Sequence, residues 1–378
     1  MGRSNYRRKD GRRLSNAEYK IKRKREIIVH LSMLIAAIIA VVGIIGFVIF
    51  KLTHKTEQEP VQAEIIHEEP IEEIPVETSS SLPEEIVEEE PEEKTGAYMA
   101  KSEDAASFFE GYNIDNGSAA YLSSENTLST YAILVNLDTG KTVASREGTT
   151  KIYPASMTKI LTLLVAVEHL DNIDNTFTMT REIGDFVFGH ECSVVGFEVD
   201  EVIPIKDLLY GTILPSGGDA AMCLAEYIAG SQEAFVDMMN EKLTALGLSD
   251  TAHFTNCIGI YNDDHYCTLE DMAVILKAAE ENALCHEVLN ARTYHTSPTA
   301  QHPDGMQISN WFLRRIEDKD THGTVTGAKT GFVNQSGSCG ASYQISNDGT
   351  HYICVTANAG SSWRCIYDHV DIYSKYTN

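Results

Sequence analysis

A run of 20 residues without a charged side chain, residues 31–50, constrains this 378-residue chain more than any other feature. An α-helix rises about 1.5 Å per residue, so this run is long enough to cross a hydrocarbon core of about 30 Å. Lys or Arg occupies 11 of the first 26 positions, and cytoplasmic flanks are enriched in these residues. We therefore predict a basic cytoplasmic tail over residues 1–26, a single transmembrane helix over residues 27–50, and all later residues outside the cell membrane.

The alternative for the apolar run is a cleaved signal peptide. The apolar core of a signal peptide is usually about 7–15 residues long, and small residues mark the cleavage site that follows it. Residues 48–51, Val-Ile-Phe-Lys, offer no such site. The sequence favours an uncleaved anchor.

The next segment is strongly acidic. Residues 56–94 hold fifteen Asp or Glu and five Pro, with isolated apolar residues that follow no helical or strand period. Like charges repel and proline blocks strand pairing, so too little apolar surface is available to offset the entropy of ordering. We predict an extended extracellular stalk over residues 51–95, a polar lead-in over residues 96–128, and a folded outer domain over residues 129–378.

Apolar patterning predicts an α+β fold for the outer domain. The strand-like segments lie at both ends of the domain, and the helical segments lie mainly between them, so the terminal strands are expected to close one antiparallel sheet with helices packed on it. The predicted strands are residues 131–137, 141–146, 324–332, 338–345 and 350–357. The predicted helices are residues 156–168, 219–229, 233–246 and 365–376.

Charge and cysteine usage exclude several classes of function. Residues 95–378 contain 16 basic and 37 acidic residues, a balance that repels nucleic-acid phosphates. All eight cysteines lie in this region without a C-x-x-C or zinc-finger spacing, so we expect no metal ion and no other cofactor. An even cysteine count permits disulfides, but apolar neighbours around Cys223 and Cys354 favour buried thiols.

Residues 156–159, Ser-Met-Thr-Lys, form the first pattern that suggests chemistry. Side chains three positions apart on a helix lie on one face, so the lysine amine can reach the serine hydroxyl. A lysine kept neutral by its surroundings can act as the base that activates a serine nucleophile. By itself the pattern also fits an ordinary surface serine and lysine.

Two later segments add to this pattern. Residues 214–219, Leu-Pro-Ser-Gly-Gly-Asp, form a tight loop before a helix and can present a second hydroxyl, that of Ser216. Residues 327–332, Gly-Ala-Lys-Thr-Gly-Phe, lie on a predicted strand and supply a cation and a hydroxyl. The glycine that follows allows a ligand to approach the strand edge.

Ser-x-x-Lys, Ser-x-Gly and Lys-Thr-Gly, in this order, resemble the three motifs of penicillin-binding proteins and serine β-lactamases. Within that group the chain is similar to the low-molecular-weight D-alanyl-D-alanine carboxypeptidases, and the likeness extends over roughly residues 130–360. It implies the penicillin-binding, serine β-lactamase-like transpeptidase fold. It also implies removal of the terminal D-alanine from peptidoglycan stem peptides, with β-lactams as covalent inhibitors.

The resemblance assigns roles to individual residues. Ser156 would be the acylated nucleophile, Lys159 its general base, and Ser216 the relay that gives a proton to the departing D-alanine.

The resemblance also implies a binding side to the cleft. Lys329 and Thr330, followed by Gly331, would hold the terminal carboxylate of the substrate, and the backbone N–H groups of Ser156 and Phe332 would form the oxyanion hole. Arg364 is a second candidate cation for that carboxylate, with an ordinary surface arginine as the alternative.

One motif position departs from the family pattern. The second motif usually ends in Asn, whose amide would contact substrate and catalytic lysine, whereas this chain has Gly218. Losing one such hydrogen bond removes about 0.5–1.5 kcal/mol, so we expect a reduced rate or an altered specificity. Two alternatives stay open: a serine β-lactamase, and a catalytically weak cell-wall-binding or scaffold relative.

Overall fold

The computed structural model describes residues 98–125 and 127–378. The predicted tail, transmembrane helix and stalk, residues 1–26, 27–50 and 51–95, lie outside the described residues. Among the described residues no helix is both long and apolar enough to cross a bilayer.

A six-stranded sheet forms the centre of the domain, in the order β1-β3-β2-β10-β9-β8. Two pairs of short strands, β4 with β5 and β6 with β7, lie outside it. The strands are β1 Ala120–Tyr121, β2 Tyr131–Asn136, β3 Lys141–Arg146, β4 Thr176–Thr178, β5 Val202–Pro204, β6 Thr293–His295, β7 Gln307–Ser309, β8 Gly323–Val333, β9 Gly337–Ser346 and β10 His351–Ala359.

The described residues also include nine α-helices and two short 3₁₀ turns, Asp104–Ser107 and Ala155–Met157. The helices are α1 Thr158–Glu168, α2 Arg181–Gly189, α3 Ile205–Ile213, α4 Gly218–Ala229, α5 Gln232–Ala245, α6 Leu269–Glu281, α7 Ala283–Leu289, α8 Leu313–Ile316 and α9 Ser362–Tyr376.

The terminal strands close the sheet, as predicted. β2 pairs antiparallel with β10, with Ile133 opposite Val355 and Leu134 opposite Cys354, and β9 pairs antiparallel with both β10 and β8. One edge corrects the prediction of a wholly antiparallel sheet, because β1 pairs parallel with β3. β1 is only two residues long, too short for a period-2 pattern to identify.

Both faces of the sheet are buried. Because successive side chains of a strand point to opposite faces, Ile133 and Val135 enter the larger core with helix α1, whereas Ala132 and Leu134 enter a smaller core beneath helix α9. α6 packs against β10 on one side, and α9 packs against β10 and β9 on the other. The result is an α+β domain with a mixed sheet between helical layers.

Turn and cap residues fix where the elements end. Gly140, between β2 and β3, and Gly349, between β9 and β10, have φ of 68° and 84°, a conformation that costs glycine little. Thr268 and Asp271 form a reciprocal capping box at the start of α6. Cys223 and Cys354 are buried free thiols, as predicted, and no disulfide joins any of the eight cysteines, all of which are described.

Candidate active site

Ser156 lies in the 3₁₀ turn Ala155–Met157, immediately before helix α1. The helix was predicted over residues 156–168, and the regular α-helix begins two residues later, at Thr158. Ala155 has φ of +49°, which a residue with a Cβ adopts at a cost of about 1–3 kcal/mol. The strained turn directs the chain from Pro154 into the helix and leaves Ser156 partly exposed.

Lys159 is buried directly beneath this serine. Its Nζ is 3.1 Å from Ser156 Oγ and donates a 2.7 Å hydrogen bond to the carbonyl of Ile258. Burial lowers the pKa of Lys159 to about 8, although the nearby Cys192, Cys257 and Asp219 oppose this shift. The neutral amine is therefore a minor but appreciable species near physiological pH, and it is the form that a general base requires.

A turn centred on Asn256 holds the Ile258 carbonyl in position. Asn256 Oδ1 accepts the backbone N–H groups of Gly259 and Ile260 at 2.7 and 3.0 Å. Gly259 has φ of +86°, and a Cβ there would lie 1.9 Å from the Ala155 carbonyl oxygen. No side chain fits at this point, so the turn fixes both the serine backbone and one partner of Lys159.

Ser216 lies in the loop between α3 and α4, with φ of +64°. Its Oγ accepts a 2.8 Å hydrogen bond from Nζ of Lys329, and the same Nζ donates to the Thr330 carbonyl at 2.8 Å. Lys329 is 2% exposed. Burial, followed by the charge of Lys159, holds the pKa of Lys329 well below its usual range.

The strand β8 brings the third motif against the nucleophile. A Cβ at Gly331 would lie 2.9 Å from the Pro154 carbonyl oxygen and 3.0 Å from the Ser156 backbone nitrogen. Only glycine allows the strand this close to the 3₁₀ turn. Phe332, the next residue, is 63% exposed at the edge of the sheet.

These elements surround an open cleft of about 720 Å³, within the usual range for small-ligand sites. Six of the residues predicted from sequence line it: Ser156, Lys159, Ser216, Thr330, Gly331 and Phe332. Lys329 lies behind Ser216 and Thr330, two residues of the cleft wall, and its amine bonds to both of them.

The family model for D-alanyl-D-alanine carboxypeptidases of the peptidase S11 type matches residues 119–361. The chain belongs to this family. The three motifs that meet in the cleft all fall inside the matched segment.

Individual relatives agree with this assignment. The chain is 30% identical over 212 residues to the D-alanyl-D-alanine carboxypeptidase DacF of Bacillus subtilis, an alignment that covers 55% of this chain and 52% of that protein. It is also 30% identical over 210 residues to a D-alanyl-D-alanine carboxypeptidase of Streptomyces sp. strain K15, covering 52% of this chain and 69% of that protein. The match thus spans about half to two thirds of these relatives' length.

Solved structures carry the same fold. The Streptomyces K15 DD-transpeptidase superposes with a TM-score of 0.59 at 23% identity, covering 70% of this chain and all of that one. The D-alanyl-D-alanine carboxypeptidase of Mycobacterium tuberculosis superposes with a TM-score of 0.59 at 23% identity, covering 70% of this chain and 97% of that one. The predicted penicillin-binding transpeptidase fold is confirmed.

Gly218, the departure from the family motif, lies against a different segment of the chain. A Cβ at Gly218 would be 3.1 Å from the Cys192 Cβ and 3.3 Å from the Ser193 carbonyl oxygen. Gly218 N–H donates to that same carbonyl at 2.7 Å. The space beside residue 218 is therefore filled by the segment that carries Cys192, which also lines the cleft.

A buried carboxylate anchors this segment. Asp219, 1% exposed, accepts the backbone N–H groups of Val195, Gly196 and Phe197 at 2.9–3.3 Å. These bonds tie residues 195–197 to the start of α4, next to the second motif. No sequence motif identifies Cys192 or the Ile258 carbonyl. Each lies at the site only because of the path that the folded backbone takes.

Arg364 lies two residues after Ser362, a residue of the cleft wall. Its guanidinium pairs with Asp368 and Asp371 on its own helix. A substrate carboxylate would have to compete with these two partners. The binding role of Arg364 stays a prediction.

Proposed function

We propose that this protein is a serine D-Ala-D-Ala carboxypeptidase that removes the terminal D-alanine of peptidoglycan stem peptides through an acyl-enzyme on Ser156. One observation carries the proposal: two serine–lysine pairs meet in one cleft, Ser156 with Lys159 at 3.1 Å and Ser216 with Lys329 at 2.8 Å. Membership of the carboxypeptidase family supplies the substrate class.

Substrate binding begins with the terminal carboxylate. Thr330 lines the cleft and can donate its hydroxyl to that carboxylate, and the Lys329 charge attracts it from behind. Because a charge on Lys159 lowers the pKa of Lys329, the cleft favours one protonated lysine over two. A bound carboxylate stabilises the charge on Lys329 and thereby leaves Lys159 neutral.

Acylation of Ser156 becomes possible when Lys329 is protonated and Lys159 is neutral. Neutral Lys159 accepts the Ser156 hydroxyl proton as Oγ attacks the carbonyl carbon of the penultimate D-alanine. The resulting oxyanion is stabilised by the backbone N–H groups of Ser156 and Phe332. The close approach of Gly331 to the Ser156 nitrogen brings these two backbone segments together.

Collapse of the tetrahedral intermediate breaks the peptide bond. The departing amine of D-alanine takes a proton through Ser216, whose Oγ faces Lys329 and lines the cleft. The proton that Lys159 took from Ser156 replaces the one given up, so that Lys159 is neutral again before the ester is hydrolysed. Water then attacks the ester carbonyl and gives a proton to Lys159, and Ser156 recovers its own proton as the shortened peptide leaves.

We propose that the chain acts at the outer surface of the cell membrane. The uncharged run at residues 31–50 and the basic residues before it support a single-pass anchor with a cytoplasmic N-terminus. The acidic residues that follow support a stalk between the membrane and the catalytic domain.

The test is release of D-alanine from a pentapeptide that ends in D-Ala-D-Ala. We expect the full chain to release one D-alanine per peptide, the Ser156→Ala variant to release none above background, and the control Ser374→Ala to match the parent. Ser374 lies near the end of α9, where its hydroxyl bonds to the Asp371 carbonyl.

Three outcomes would contradict the proposal. D-alanine release that survives in Ser156→Ala would exclude this nucleophile. Fast turnover of β-lactams without D-alanine release would indicate a β-lactamase. Peptide binding with neither reaction would indicate a wall-binding relative.

A further inference from the structure

Both tryptophans of the chain lie together beside the cleft, whose wall includes Trp311. The rings of Trp311 and Trp363 are 5.6 Å apart between centroids and meet edge to face at 61°. The Trp363 ring is followed by that of Tyr367, 5.9 Å away and within 22° of parallel. We call Trp311, Trp363 and Tyr367 the aromatic strip.

The outer part of the strip is exposed. Trp363 is 46% exposed and Tyr367 40%, whereas Trp311 packs partly on the smaller core. Large apolar rings that share one surface patch cost hydration free energy unless a ligand or partner covers them. Packing of α9 on the sheet does not account for them, because that packing uses Ile366, Ile372 and Tyr373.

An arginine holds the strip in place. The Arg315 guanidinium carbon is 3.7 Å from the centroid of the Trp311 ring and 5.2 Å from that of Trp363. One guanidinium nitrogen also donates to the Trp311 carbonyl at 3.2 Å. A cation stacked on two aromatic faces stabilises the orientation of both rings. The rings are therefore partly ordered already, and ligand binding costs less side-chain entropy.

The strip continues the wall of the cleft. Trp311 lines the cleft together with Ser362, and Trp363 follows Ser362 directly. A substrate whose terminal carboxylate lies at Thr330, and not at Arg364 beside Trp363, can extend across Trp311 onto the strip. In that orientation the distal part of the substrate would meet the aromatic rings.

We propose that the aromatic strip binds sugar rings of the glycan to which the stem peptide is attached, an inference that rests on the proposed function. A sugar ring presents an apolar C–H face and polar hydroxyl edges. Tryptophan and tyrosine match it, since each offers a flat apolar face and a polar group at its rim. Little ordering entropy is lost, because each of these side chains has only two rotatable bonds.

The first test compares two substrates on the full chain. One is a free pentapeptide ending in D-Ala-D-Ala, and the other is the same peptide on an N-acetylglucosamine–N-acetylmuramic acid disaccharide. We expect kcat/KM to be about threefold to tenfold higher for the disaccharide-linked peptide, mainly through KM, as one aromatic stacking contact provides.

Variants then assign that preference to the strip. Trp363→Ala should bring the ratio of the two kcat/KM values close to one, and the conservative Trp363→Phe should restore most of it. Tyr121→Ala is the matched control, because Tyr121 is also an exposed aromatic residue, at 71%, but lies on the edge strand opposite β8. It should keep the parental ratio.

A binding measurement separates failure of this inference from failure of the proposed reaction. Since both tryptophans belong to the strip, titration of the Ser156→Ala chain with the disaccharide alone should change its tryptophan emission, and Trp363→Ala should reduce that change. The inference would be overturned if the disaccharide left the tryptophan emission unaltered. It would also be overturned if the parent chain had equal kcat/KM values for the two substrates. A strip that binds phosphatidylglycerol vesicles instead of the sugar would overturn it as well.

Discussion

The two serine–lysine pairs of the cleft contain the same atoms at similar distances, but they are built in different ways. Ser156 and Lys159 are three residues apart, so the 3₁₀ turn that leads into α1 brings them together. Ser216 and Lys329 are 113 residues apart and meet only when the α3–α4 loop lies against strand β8. Local geometry thus accounts for the first pair, and the second pair depends on the tertiary fold.

The surroundings of the pairs also differ. Lys159 lies beside the hydroxyl of Ser156, and the backbone of Ser156 faces Gly331. Lys329, in contrast, lies beneath the wall of the cleft. Burial lowers both pKa values, and the charge of Lys159 lowers that of Lys329 further. We propose that the two lysines serve different needs: Lys159 acts as a neutral base, whereas Lys329 carries its charge once the substrate carboxylate stabilises it.

The same substitution at both lysines tests this difference and has the largest expected effect. Methionine keeps the length of lysine and removes the amine. Lys159→Met should lower the rate of Ser156 acylation by about 10²–10⁴-fold, the usual contribution of a general base. The measurement is stopped-flow acylation by a fluorescent penicillin.

Lys329→Met should act less strongly and in a different parameter. Loss of a charged partner of the carboxylate should reduce kcat/KM by about 10–100-fold, corresponding to 1.5–3 kcal/mol, chiefly through KM. The control is a substrate that ends in an amide and so lacks the carboxylate. It should bind the parent more weakly than the acid does, and Lys329→Met should weaken its binding little further. Equal effects of the two methionine variants on the acylation rate would contradict the comparison.

The pH dependence of the acylation rate and of KM should distinguish the two pairs further. Because burial lowers the pKa of Lys159 to about 8, the neutral amine is a minor species at lower pH. The acylation rate should therefore rise about tenfold per pH unit below pH 8 and level off above it.

Lys329 imposes the opposite requirement, because only its protonated form attracts the carboxylate. KM should increase with pH, so that kcat/KM passes through a maximum. A constant acylation rate between pH 6 and 9 would contradict the role of Lys159.

The smallest expected effect concerns the wall beside Ser216. Gly218→Asn restores the usual family residue, but its Cβ would lie 3.1 Å from that of Cys192. Overpacking of this kind should destabilise the domain by about 1–3 kcal/mol, measured by denaturant unfolding, and lower D-alanine release severalfold.

Cys192→Gly combined with Gly218→Asn should recover at least half of the lost stability. Strictly additive losses in the double variant would mean that the two residues do not compete for the same space.

Sequence patterns predicted the parts of the domain that depend on local periodicity. The i, i+3 spacing placed Ser156 and Lys159 on one turn, and the apolar runs identified the strands that pair β2 with β10. The third motif lies on strand β8, as predicted.

Other parts of the site depend on backbone atoms or on contacts far apart in sequence. The Ile258 carbonyl that binds Lys159 belongs to a residue without functional side-chain chemistry. Cys192 reaches the cleft because Asp219 anchors the segment that follows it. The parallel pairing of β1 involves only two residues. No hydrophobic period encodes such contacts.

Covalent labelling with a penicillin tests the central claim most directly, namely that Ser156 is the nucleophile of the cleft. The folded full chain would be incubated with a fluorescent penicillin, digested with a protease and mapped by mass spectrometry. We expect one adduct per chain, on the peptide that contains Ser156, and none in Ser156→Ala. An unlabelled chain that still releases D-alanine, or an adduct on another residue, would contradict the account.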